Sequence, residues 1–490
     1  MKLVTLILAA LFSGSLMAKS LPGDYLIKIQ PDVHASAVKN LTTTLPLGTK
    51  IKDMGFAGWL HVTLPQQEVS AFSARILGQM PGVLVVEPNK IIRLNSKFKI
   101  NDPQLAAEIA ARLQNPGPSG IFDPAPTDNP EIPAAGSGGS GADTLFNKQW
   151  GMNQIGVQDA WQFGKGNTDM VVGVIDTGVD YTHEDLVDNM WRNPGEAGAL
   201  ANNGIDDDKN GYIDDVVGWD FAVNDNKPYD MSGTMMDILL QGANPGHGTH
   251  CAGNVAARGD NGKGIAGVAP NVRIMALRFL TEKGQGTIAG GIEAIKYGVD
   301  NGAKVLSNSW GSEGDGGDSD PDTQALKEVI TYAQERGVLF IAAAGNGHQG
   351  VGYDNDSDAK PAYPASYPHE NIISVAAMNE AGEFGSFSNW GRNTVDLGAP
   401  GVKVFSTVVQ SEKYTDTLID IPGVLTATWD GTSMACPHVA GAAALYWSQN
   451  PGKSWQDVKN AILSSTKKTA VLNGKTVSGG MLDVRALSRF

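Results

Sequence analysis

The chain has 490 residues, 41% of them hydrophobic, with 60 glycines, two cysteines and a net charge of −15 at pH 7. This length predicts two or three domains with a large core, and two cysteines exclude a framework of disulfide bonds. Residues 1–143 hold 12 of the 37 basic and 11 of the 52 acidic residues. The negative charge therefore lies in the remainder, which argues against a nucleic-acid partner and fits sites for divalent cations.

The first 18 residues have the pattern of a secretory signal peptide. Lys2 precedes an apolar run from Leu3 to Phe12, and small residues follow as far as Ala18. The run is too short to span a bilayer, and no later stretch reaches about 18 uninterrupted apolar residues. We therefore expect a secreted protein, extracellular or periplasmic, without a membrane anchor.

Residues 19–95 have the pattern of a small α+β domain. Helical patterns at 34–44 and 67–78 alternate with strands at Tyr25–Ile29, Trp59–Leu64 and Val83–Pro88. This order predicts a ferredoxin-like arrangement. A unit of this size can equally be an independent binding module.

Residues 96–143 differ in composition. A short helix is expected at Pro103–Leu113, after which proline, glycine and serine dominate, as in 115–120 and 136–141. Such a segment is a flexible linker, and exposed linkers are common sites of proteolysis between domains. The sequence does not give the position of a cleaved bond.

Residues 144–490 alternate between strand and helix patterns. Helices are expected near 149–161, at Ala289–Asn301 and at Thr323–Arg336, and strands at Met170–Asp176, Val272–Leu277, Val305–Ser309 and Val338–Ala343. The alternation predicts an α/β fold, with a doubly wound parallel sheet and helices on both faces.

Three stretches of this domain contain candidate catalytic residues, and the first is 431–441. Here a Gly-Thr turn precedes Ser433 at the start of a small-residue helix, where free N–H groups and the helix dipole favour negative charge. Pro437 is expected in the first turn, in which a proline breaks no helical hydrogen bond. This geometry suits a serine whose own N–H stabilises an oxyanion, although a serine that caps a core helix has the same pattern.

The other two stretches supply an acid and a histidine. The apolar strand at 171–176 ends at Asp176, where parallel sheets present site residues, although a capping aspartate has the same pattern. His247 follows a glycine-rich loop and begins a second small-residue helix. It lies three residues before His250, a spacing that zinc can use, but the glutamate of the His-Glu-x-x-His motif is missing.

The three stretches are much more specific together than alone. A serine nucleophile needs a general base, and the base needs a carboxylate to orient it. The chain order Asp176, His247, Ser433 is the subtilisin order, and with these motifs residues 144–490 resemble the subtilisin-like serine proteases, or subtilases. Ala342–Asn346 resembles the oxyanion-hole strand of that family, which implies that Asn346 donates its side-chain amide.

The resemblance implies a function for each part of the chain. We expect a secreted endopeptidase made as a zymogen, a monomer that acts on polypeptides, with residues 19–95 as its propeptide, folding chaperone and intramolecular inhibitor. The ending Val85–Asn89 is similar to that class of propeptide. Two other functions stay open: a peptide ligase or acyl transferase of the same fold, and a non-catalytic scaffold held by its propeptide.

The resemblance also implies where a substrate binds. An extended peptide is expected to pair with two backbone edges beside an apolar pocket, which predicts a preference for bulky apolar residues before the cleaved bond. These positions are Gly284, Gln285 and Gly286 on one edge, Ser309, Trp310 and Gly311 on the other, and Ala344, Gly345 and Ala362 around the pocket. Trp310 is larger than the residue common there, which leaves the size of the pocket open.

The acidic loop at 206–215 has the spacing of half a calcium loop. Alternate side-chain oxygens are followed by a turn glycine, but position twelve is Val217, so the usual bidentate glutamate is missing. The expected ligands of this structural Ca²⁺ are Asp206, Asp208, Asn210, Tyr212, Asp214 and Asp215. A solvated acidic loop is the alternative.

A second calcium site is implied by the resemblance alone, at Asp185 and Asn261, with Asp396 as a weaker third candidate. The acidic runs Asp315–Asp322 and Asp354–Asp358 either bind calcium or form solvated loops.

Cys251 and Cys436 follow the histidine and the serine on helices that we expect to be neighbours. An oxidising compartment permits a disulfide between them. We favour two buried free thiols, since free cysteine is a common small core residue.

Overall fold

The computed structural model describes residues 20–69, 72–94, 131–132, 140–230, 246–311, 323–348, 350–409 and 428–490. The predicted signal peptide, the helix at Pro103–Leu113 and the acidic run Asp315–Asp322 lie outside these residues.

The N-terminal unit contains six elements in the order β-α-β-β-α-β. They are β1 (Ser20–Ile29), α1 (His34–Thr44), β2 (Lys50–Asp53), β3 (Trp59–Thr63), α2 (Ala74–Leu77) and β4 (Val83–Arg93). The four strands pair antiparallel in the order β2-β3-β1-β4. This is the order of a ferredoxin-like unit.

Two details of this unit differ from the sequence-based prediction. Among the described residues of 67–78, the helical pattern gives α2 and the end of a 3₁₀ turn at Gln66–Glu68. Helix α2 begins after Ser73, a residue type that favours caps over helix interiors. Strand β2 was not predicted. It lies at the edge of the sheet with three of its four residues exposed, so it lacks the alternation by which a strand is recognised.

A nine-stranded sheet lies at the centre of the C-terminal domain, in the order β15-β16-β12-β11-β10-β9-β5-β7-β6. Neighbouring strands are parallel except β15 and β16. The strands are β5 (Val171–Asp176), β6 (Gly218–Asp220), β7 (Arg273–Arg278), β9 (Val305–Asn308), β10 (Leu339–Ala343), β11 (Ile372–Met378), β12 (Leu397–Pro400), β15 (Lys467–Lys468) and β16 (Gly480–Met481). Most are buried on both faces, which is why they read as continuous apolar runs.

Helices cover both faces of this sheet, which confirms the predicted α/β fold. They are α3 (Trp150–Ile155), α4 (Val157–Ala160), α5 (His247–Ala256), α6 (Ile288–Asp300), α7 (Gln324–Glu335), α8 (Thr432–Gln449), α9 (Trp455–Ser465) and α10 (Val484–Leu487). Helices α5 and α8 pack in one hydrophobic core, and α6 and α7 in the other. Three short strands lie outside the sheet: β8 (Gln285–Thr287), β13 (Val404–Phe405) and β14 (Thr428–Trp429).

Helix α8 crosses the core in close contact with α5. All its residues from Thr432 to Trp447 are buried. At Gly441 a Cβ atom would lie 2.8 Å from Val268 Cβ and 3.0 Å from Val255 O, at the end of α5. The small residues of α8 therefore let the two backbones approach closely. In the described part of the chain, no helix has both the length and the apolar character needed to cross a membrane.

The N-terminal unit packs on α6 and α7 of the C-terminal domain. Leu26 and Trp59 belong to the same hydrophobic cluster as Ile292 and Ile295 of α6. Beside this cluster, the Trp59 indole N–H donates to Glu328 on α7 at 2.8 Å. The two parts of the chain therefore share one core.

Two side chains of β4 cap the helices on which the unit packs. Glu87 accepts the N–H groups of Gln324 and Ala325 at 2.8 and 3.2 Å, and Asn89 Oδ1 accepts the N–H of Ala289 at 3.0 Å. The first N–H groups of a helix have no helical partner, so these oxygens satisfy them and complement the helix dipoles. The N-terminal unit thus supplies N-terminal caps to α6 and α7.

A polar cluster lies at the same interface. His61 Nε2 is 2.6 Å from Asp24 Oδ1, and His61 Nδ1 is 3.9 Å from Glu293 Oε1 on α6, which also pairs with Lys52. Burial lowers the pKa of His61, but hydrogen bonds to Asp24 and Glu293 and their charges outweigh this effect and raise the pKa to about 9. A protonated imidazole therefore joins a carboxylate of each part of the chain.

We expect His61→Gln to weaken this interface near neutral pH. The folded-state pKa of His61 lies above its ordinary value of 6.5, so its stabilisation is complete below about pH 6.5 and is lost as the pH rises through about 9. In full-length chains carrying Ser433→Ala, the thermal unfolding midpoint of the His61→Gln variant should be about 1–3 °C lower at neutral pH. The difference should disappear above about pH 9.

The matched control is His34→Gln, because His34 lies 3.5 Å from Asp53 within the N-terminal unit. A difference for His61→Gln that is unchanged at alkaline pH would contradict the role of the charge.

Candidate active site

The end of β5 positions Asp176. The strand lies between β7 and β9, and all six of its residues are buried. Asp176 is its last residue and has no solvent exposure, and its Oδ1 accepts the N–H of Thr177 at 2.7 Å. Site residues in parallel sheets lie at this carboxyl edge.

The start of α5 places His247 against this acid. His247 Nδ1 lies 2.6 Å from Asp176 Oδ1, and the imidazole is almost fully buried. The approach requires glycine at position 248, where a Cβ atom would lie 2.0 Å from Gly178 O and 3.0 Å from Asp176 Cβ. We refer to Asp176 and His247 as the catalytic pair. The carboxylate favours a proton on Nδ1, which leaves Nε2 as the basic nitrogen.

His250 takes no part in this contact. Its Nε2 lies 3.1 Å from Val404 O, and its ring stacks on Trp429 with centroids 4.7 Å apart. The zinc-binding alternative for the two histidines therefore has no support in the described structure.

Ser433 lies in the first turn of α8. Its Oγ donates to Ser309 O at 2.9 Å. The Cys251 thiol is 4.0 Å from His247 Nδ1 and donates to Ser433 O at 3.4 Å. The Cys251 side chain thus contacts both the histidine ring and the backbone of the serine, which places α5 and α8 side by side at the site.

The prediction for Pro437 was wrong. Helix α8 begins at Thr432, so Pro437 lies in the second turn and cannot donate to Ser433 O. Ser309 Oγ donates to this carbonyl instead, at 2.8 Å, together with Cys251. A donor from a distant part of the chain therefore makes the proline tolerable, which the local sequence does not show.

Asn346 lies between β10 and the start of α8. Its Oδ1 accepts both the N–H and the hydroxyl of Thr432, at 2.8 and 2.9 Å, and Thr432 Oγ1 accepts the N–H of Gly345 at 3.2 Å. Because the oxygen is held in this way, the amide N–H groups are the part of the side chain that can donate to a bound oxyanion.

The predicted substrate edge at Gly284–Gly286 is paired with the N-terminal unit. Strand β4 continues beyond its own sheet, and its residues 91–93 pair antiparallel with 285–287, with Ile92 opposite Gly286. Leu94 N also donates to Gly284 O at 2.7 Å. An extended segment of this chain therefore occupies the edge on which a peptide was expected to bind.

The residues predicted around the pocket lie together. Ala344 and Ala362 are buried, and a Cβ atom on Gly345 would lie 3.0 Å from Ala362 Cβ. On the other edge, a Cβ atom on Gly311 would lie 2.8 Å from Tyr363 O. The segments around positions 311, 345 and 362 are thus neighbours, and their role as a substrate pocket stays a prediction.

The Trp310 side chain is 2% exposed, and its ring lies 5.0 Å from that of Phe279. It belongs to the core shared with the N-terminal unit, and its role as a pocket wall stays a prediction.

In the acidic loop, the structure adds Glu196 to the predicted ligands. Oxygens of Glu196, Asp206 and Asp208 all lie within 4.8 Å of one another. Glu196 is unexposed, and its Oε1 accepts the N–H of Asp207 at 2.8 Å, whereas its Oε2 has no hydrogen-bond partner among the described residues. Burial, reinforced by the charges of Asp207 and Asp208 and opposed by hydrogen bonds from their backbone, raises the pKa of Glu196. Clustered carboxylate oxygens of this kind suit calcium.

Asp214 and Asp215, two further predicted calcium ligands, accept hydrogen bonds from the protein. The two oxygens of Asp214 accept the N–H groups of Asn203 and Gly204, each at 2.8 Å. Asp215 accepts hydrogen bonds from Asn210 Nδ2 and the Tyr297 hydroxyl. Both carboxylates are therefore engaged by protein donors, and their role as calcium ligands stays a prediction.

Asn210 and Tyr212, the remaining predicted ligands of the acidic loop, are joined by a hydrogen bond in which Asn210 Oδ1 accepts the N–H of Tyr212 at 2.8 Å.

The second predicted calcium pair is also adjacent. Asn261 Nδ2 donates to Asp185 Oδ1 at 2.9 Å, and the N–H of Ile265 donates to Asp185 Oδ2 at 2.8 Å. Burial raises the pKa of Asp185 to about 6. Asp143 Oδ1 accepts the N–H of Asn261 at 3.3 Å, which adds a carboxylate that the sequence analysis missed.

The weaker candidates have protein partners. Asp396 accepts the N–H of Ser374 at 2.8 Å and lies 3.5 Å from Lys459 Nζ. In the run 354–358, Asp356 accepts hydrogen bonds from Asn393 and Thr394. These carboxylates stabilise loops and give no support for further calcium sites.

Cys251 and Cys436 are buried and unbonded, which confirms the predicted free thiols. Burial raises the pKa of Cys436 to about 11 and that of Cys251 well above its ordinary value.

Comparison with known families identifies the class of protein. The model described as the subtilase family (Peptidase S8) matches residues 167–480, well over half of the chain. The chain therefore belongs to the subtilase family and is a subtilisin-like serine endopeptidase, as the three motifs predicted.

Relatives of this chain include a serine proteinase. The chain is 35% identical over 336 residues to a thermophilic serine proteinase of Bacillus sp. (strain AK1), covering 66% of each protein. It is 34% identical over 322 residues to thermitase of Thermoactinomyces vulgaris, covering 66% of this chain and 89% of thermitase. With fervidolysin of Fervidobacterium pennivorans the identity is 35% over 329 residues, covering 64% of this chain and 39% of that protein.

Proposed function

We propose that this chain is a secreted endopeptidase that is made as a zymogen and uses Ser433, His247 and Asp176 as its triad. The observation that carries the proposal is the 2.6 Å contact within the buried catalytic pair, beside the helix start that bears Ser433. Membership of the subtilase family supports the same reaction class.

The reaction follows from these positions. Ser433 Oγ leaves its bond to Ser309 O and attacks the peptide carbonyl carbon while His247 Nε2 accepts its proton. Asp176 stabilises the resulting imidazolium, and the amide of Asn346 and the N–H of Ser433 donate to the oxyanion. The imidazolium then protonates the leaving amine, and water hydrolyses the acyl-enzyme with His247 again as base.

We expect Asn346→Ala to lower kcat by about 10²–10³ with little change in KM, because the donor acts on charge that develops in the transition state. The measurement is steady-state hydrolysis of a chromogenic peptide, with Ser433→Ala as the inactive reference. Asn393→Ala is the matched control, since Asn393 is an exposed asparagine that bonds Asp356. Equal loss of activity in both asparagine variants would contradict the role of Asn346.

The pairing of β4 with β8 is our model for how an extended substrate binds. The pairing of residues 91–93 with 285–287 and the bond from Leu94 to Gly284 O show that this edge accepts an extended backbone. Backbone pairing makes no demand on sequence, so selectivity must come from side-chain pockets. Ile92 is 1% exposed in this register, which favours an apolar side chain at the corresponding position of a substrate.

The pocket near Gly345 and Ala362 predicts the residue before the cleaved bond. The described residues beside Gly345, which are Ala344, Ala362 and the amide of Asn389, are uncharged, so we expect kcat/KM for Phe or Leu at that position to exceed that for Lys or Arg at least about 10-fold, because a cation would be desolvated without an opposite charge. A panel of peptides that differ only at this residue tests the expectation. Fastest cleavage after Lys or Arg would contradict it.

The N-terminal unit is the proposed propeptide. It covers the substrate edge with β4, caps α6 and α7, and shares their hydrophobic core. These contacts support a unit that both assists folding of the domain and blocks its cleft, with activating cleavage in the segment 96–143.

We further propose structural Ca²⁺ at two places, with Glu196, Asp206 and Asp208 at one and Asp185, Asn261 and Asp143 at the other. The orphaned Oε2 of buried Glu196 supports the first site, because a cation offsets the cost of three clustered carboxylates. When bound, Ca²⁺ would supply positive charge that fixes these loops.

Glu196→Gln should reduce the stabilisation of the folded chain by Ca²⁺. In a Ser433→Ala background, the reference chain should unfold several degrees higher with excess Ca²⁺ than with a chelator, because the ion binds only the folded state. Glu196→Gln should lose part of this difference, and Asp185→Asn a separate part. Glu335→Gln, at an exposed helical position, is the control, and a full response in Glu196→Gln would contradict the first site.

A further inference from the structure

A second buried carboxylate, Asp230, lies beside the catalytic pair and is not used by the mechanism above. Asp230 has no solvent exposure. Its Oδ1 accepts the Thr177 hydroxyl at 3.0 Å and the N–H of Gly246 at 3.2 Å. Its Oδ2 accepts both the hydroxyl and the N–H of Thr249, at 2.7 and 2.9 Å. All four contacts are donated to the carboxylate, which is the environment of an ionised acid.

These donors come from the two elements that carry the catalytic pair. Thr177 directly follows Asp176 at the end of β5, and its hydroxyl also accepts the N–H of Gly248 at 2.9 Å. Gly246 and Thr249 belong to the start of α5. Gly246 is in the left-handed conformation at the N-cap position and, as a glycine, has no side chain that could cap the helix. Asp230 therefore joins the end of β5 to the first turn of α5 on the side of the contact between Asp176 and His247.

The charge of Asp230 is coupled to the same site. Burial raises the pKa of Asp230 to about 7, the donors from Thr249 and Thr177 oppose this rise, and the charge of Asp176 adds to it. Among the described residues, Asp230 also interacts with the titratable groups of Cys251 on α5 and Tyr229, its neighbour in the chain. Two carboxylates, Asp176 and Asp230, thus hold the start of α5, the helix turn that carries His247.

We propose that Asp230 is a positioning residue of the peptidase reaction. Its ionised carboxylate holds the first turn of α5 on the end of β5, so that His247 stays in contact with Asp176, and its charge favours the imidazolium that forms during catalysis. The inference rests on the proposed function of the triad. It assigns to Asp230 an effect on the reaction that a neutral helix cap would not have.

The test compares Asp230→Asn with the parent enzyme in steady-state peptide hydrolysis across pH. Asparagine keeps the shape but removes the charge and one acceptor oxygen. We expect kcat to fall about 10-fold or more with KM little changed, because the effect is on the reacting geometry and charge. The acidic limb of the pH profile of kcat/KM should move about one unit to lower pH, because a buried negative charge, opposite in sign to the imidazolium that it favours, is removed.

Two further variants separate charge from mechanical support. Thr177→Val keeps the charge of Asp230 but breaks its link to β5, so kcat should fall while the acidic limb stays in place. Asp159→Asn is the charge control, because Asp159 is a half-exposed acid that pairs with Arg485. It should match the parent in both quantities.

A folded Asp230→Asn enzyme with the kcat and acidic limb of the parent would overturn the proposal, even if its unfolding temperature is lower. If Asp230→Asn does not fold, Thr177→Val decides, and an unchanged kcat in that variant overturns the proposal. A parent enzyme that hydrolyses no peptide would instead refute the proposed function.

Discussion

The approach of α5 to the sheet and to α8 is the constraint on which the site depends. Any side chain at position 248 would collide with the turn after β5, and any at position 441 would collide with Val268 and press tightly against the end of α5. Glycine at both places allows contact between backbones, and a densely packed core tolerates few alternative arrangements. The histidine and the serine are therefore held by the interior of the domain, and the preorganisation that catalysis needs is a property of packing.

The N-terminal unit extends this interior instead of lying on its surface. Its apolar face completes one of the two cores of the sheet, and its polar side chains satisfy the free ends of α6 and α7. Capping residues usually belong to the helix that they cap or to its immediate flank. Here each helix keeps an N-cap threonine of its own, Thr287 or Thr323, and the additional caps lie 200 or more residues away in the chain. The docking of the unit therefore adds to the stability of both helices.

The sequence was sufficient for features that depend on local chemistry. Apolar runs and their alternation with helices gave the α/β fold, and three short motifs gave Asp176, His247 and Ser433. Glu196 and Asp230 were missed because nothing local distinguishes a buried carboxylate from an exposed one. Each becomes recognisable only when the fold places it beside other charges or donors. Pro437 was misplaced for the same reason, since its compensating donor, Ser309, is 128 positions earlier in the chain.

Strand β4 takes part in two hydrogen-bond ladders at once, one within its own unit and one with β8. Its eleven residues form a single extended segment, so a peptide bond cut beyond its end leaves both ladders intact. Dissociation must then break backbone pairs, helix caps and a shared apolar contact in one cooperative event. In the proposed zymogen, the lag between cleavage and the appearance of a free cleft would consequently be set by the residence time of this strand and not by the speed of the cut itself.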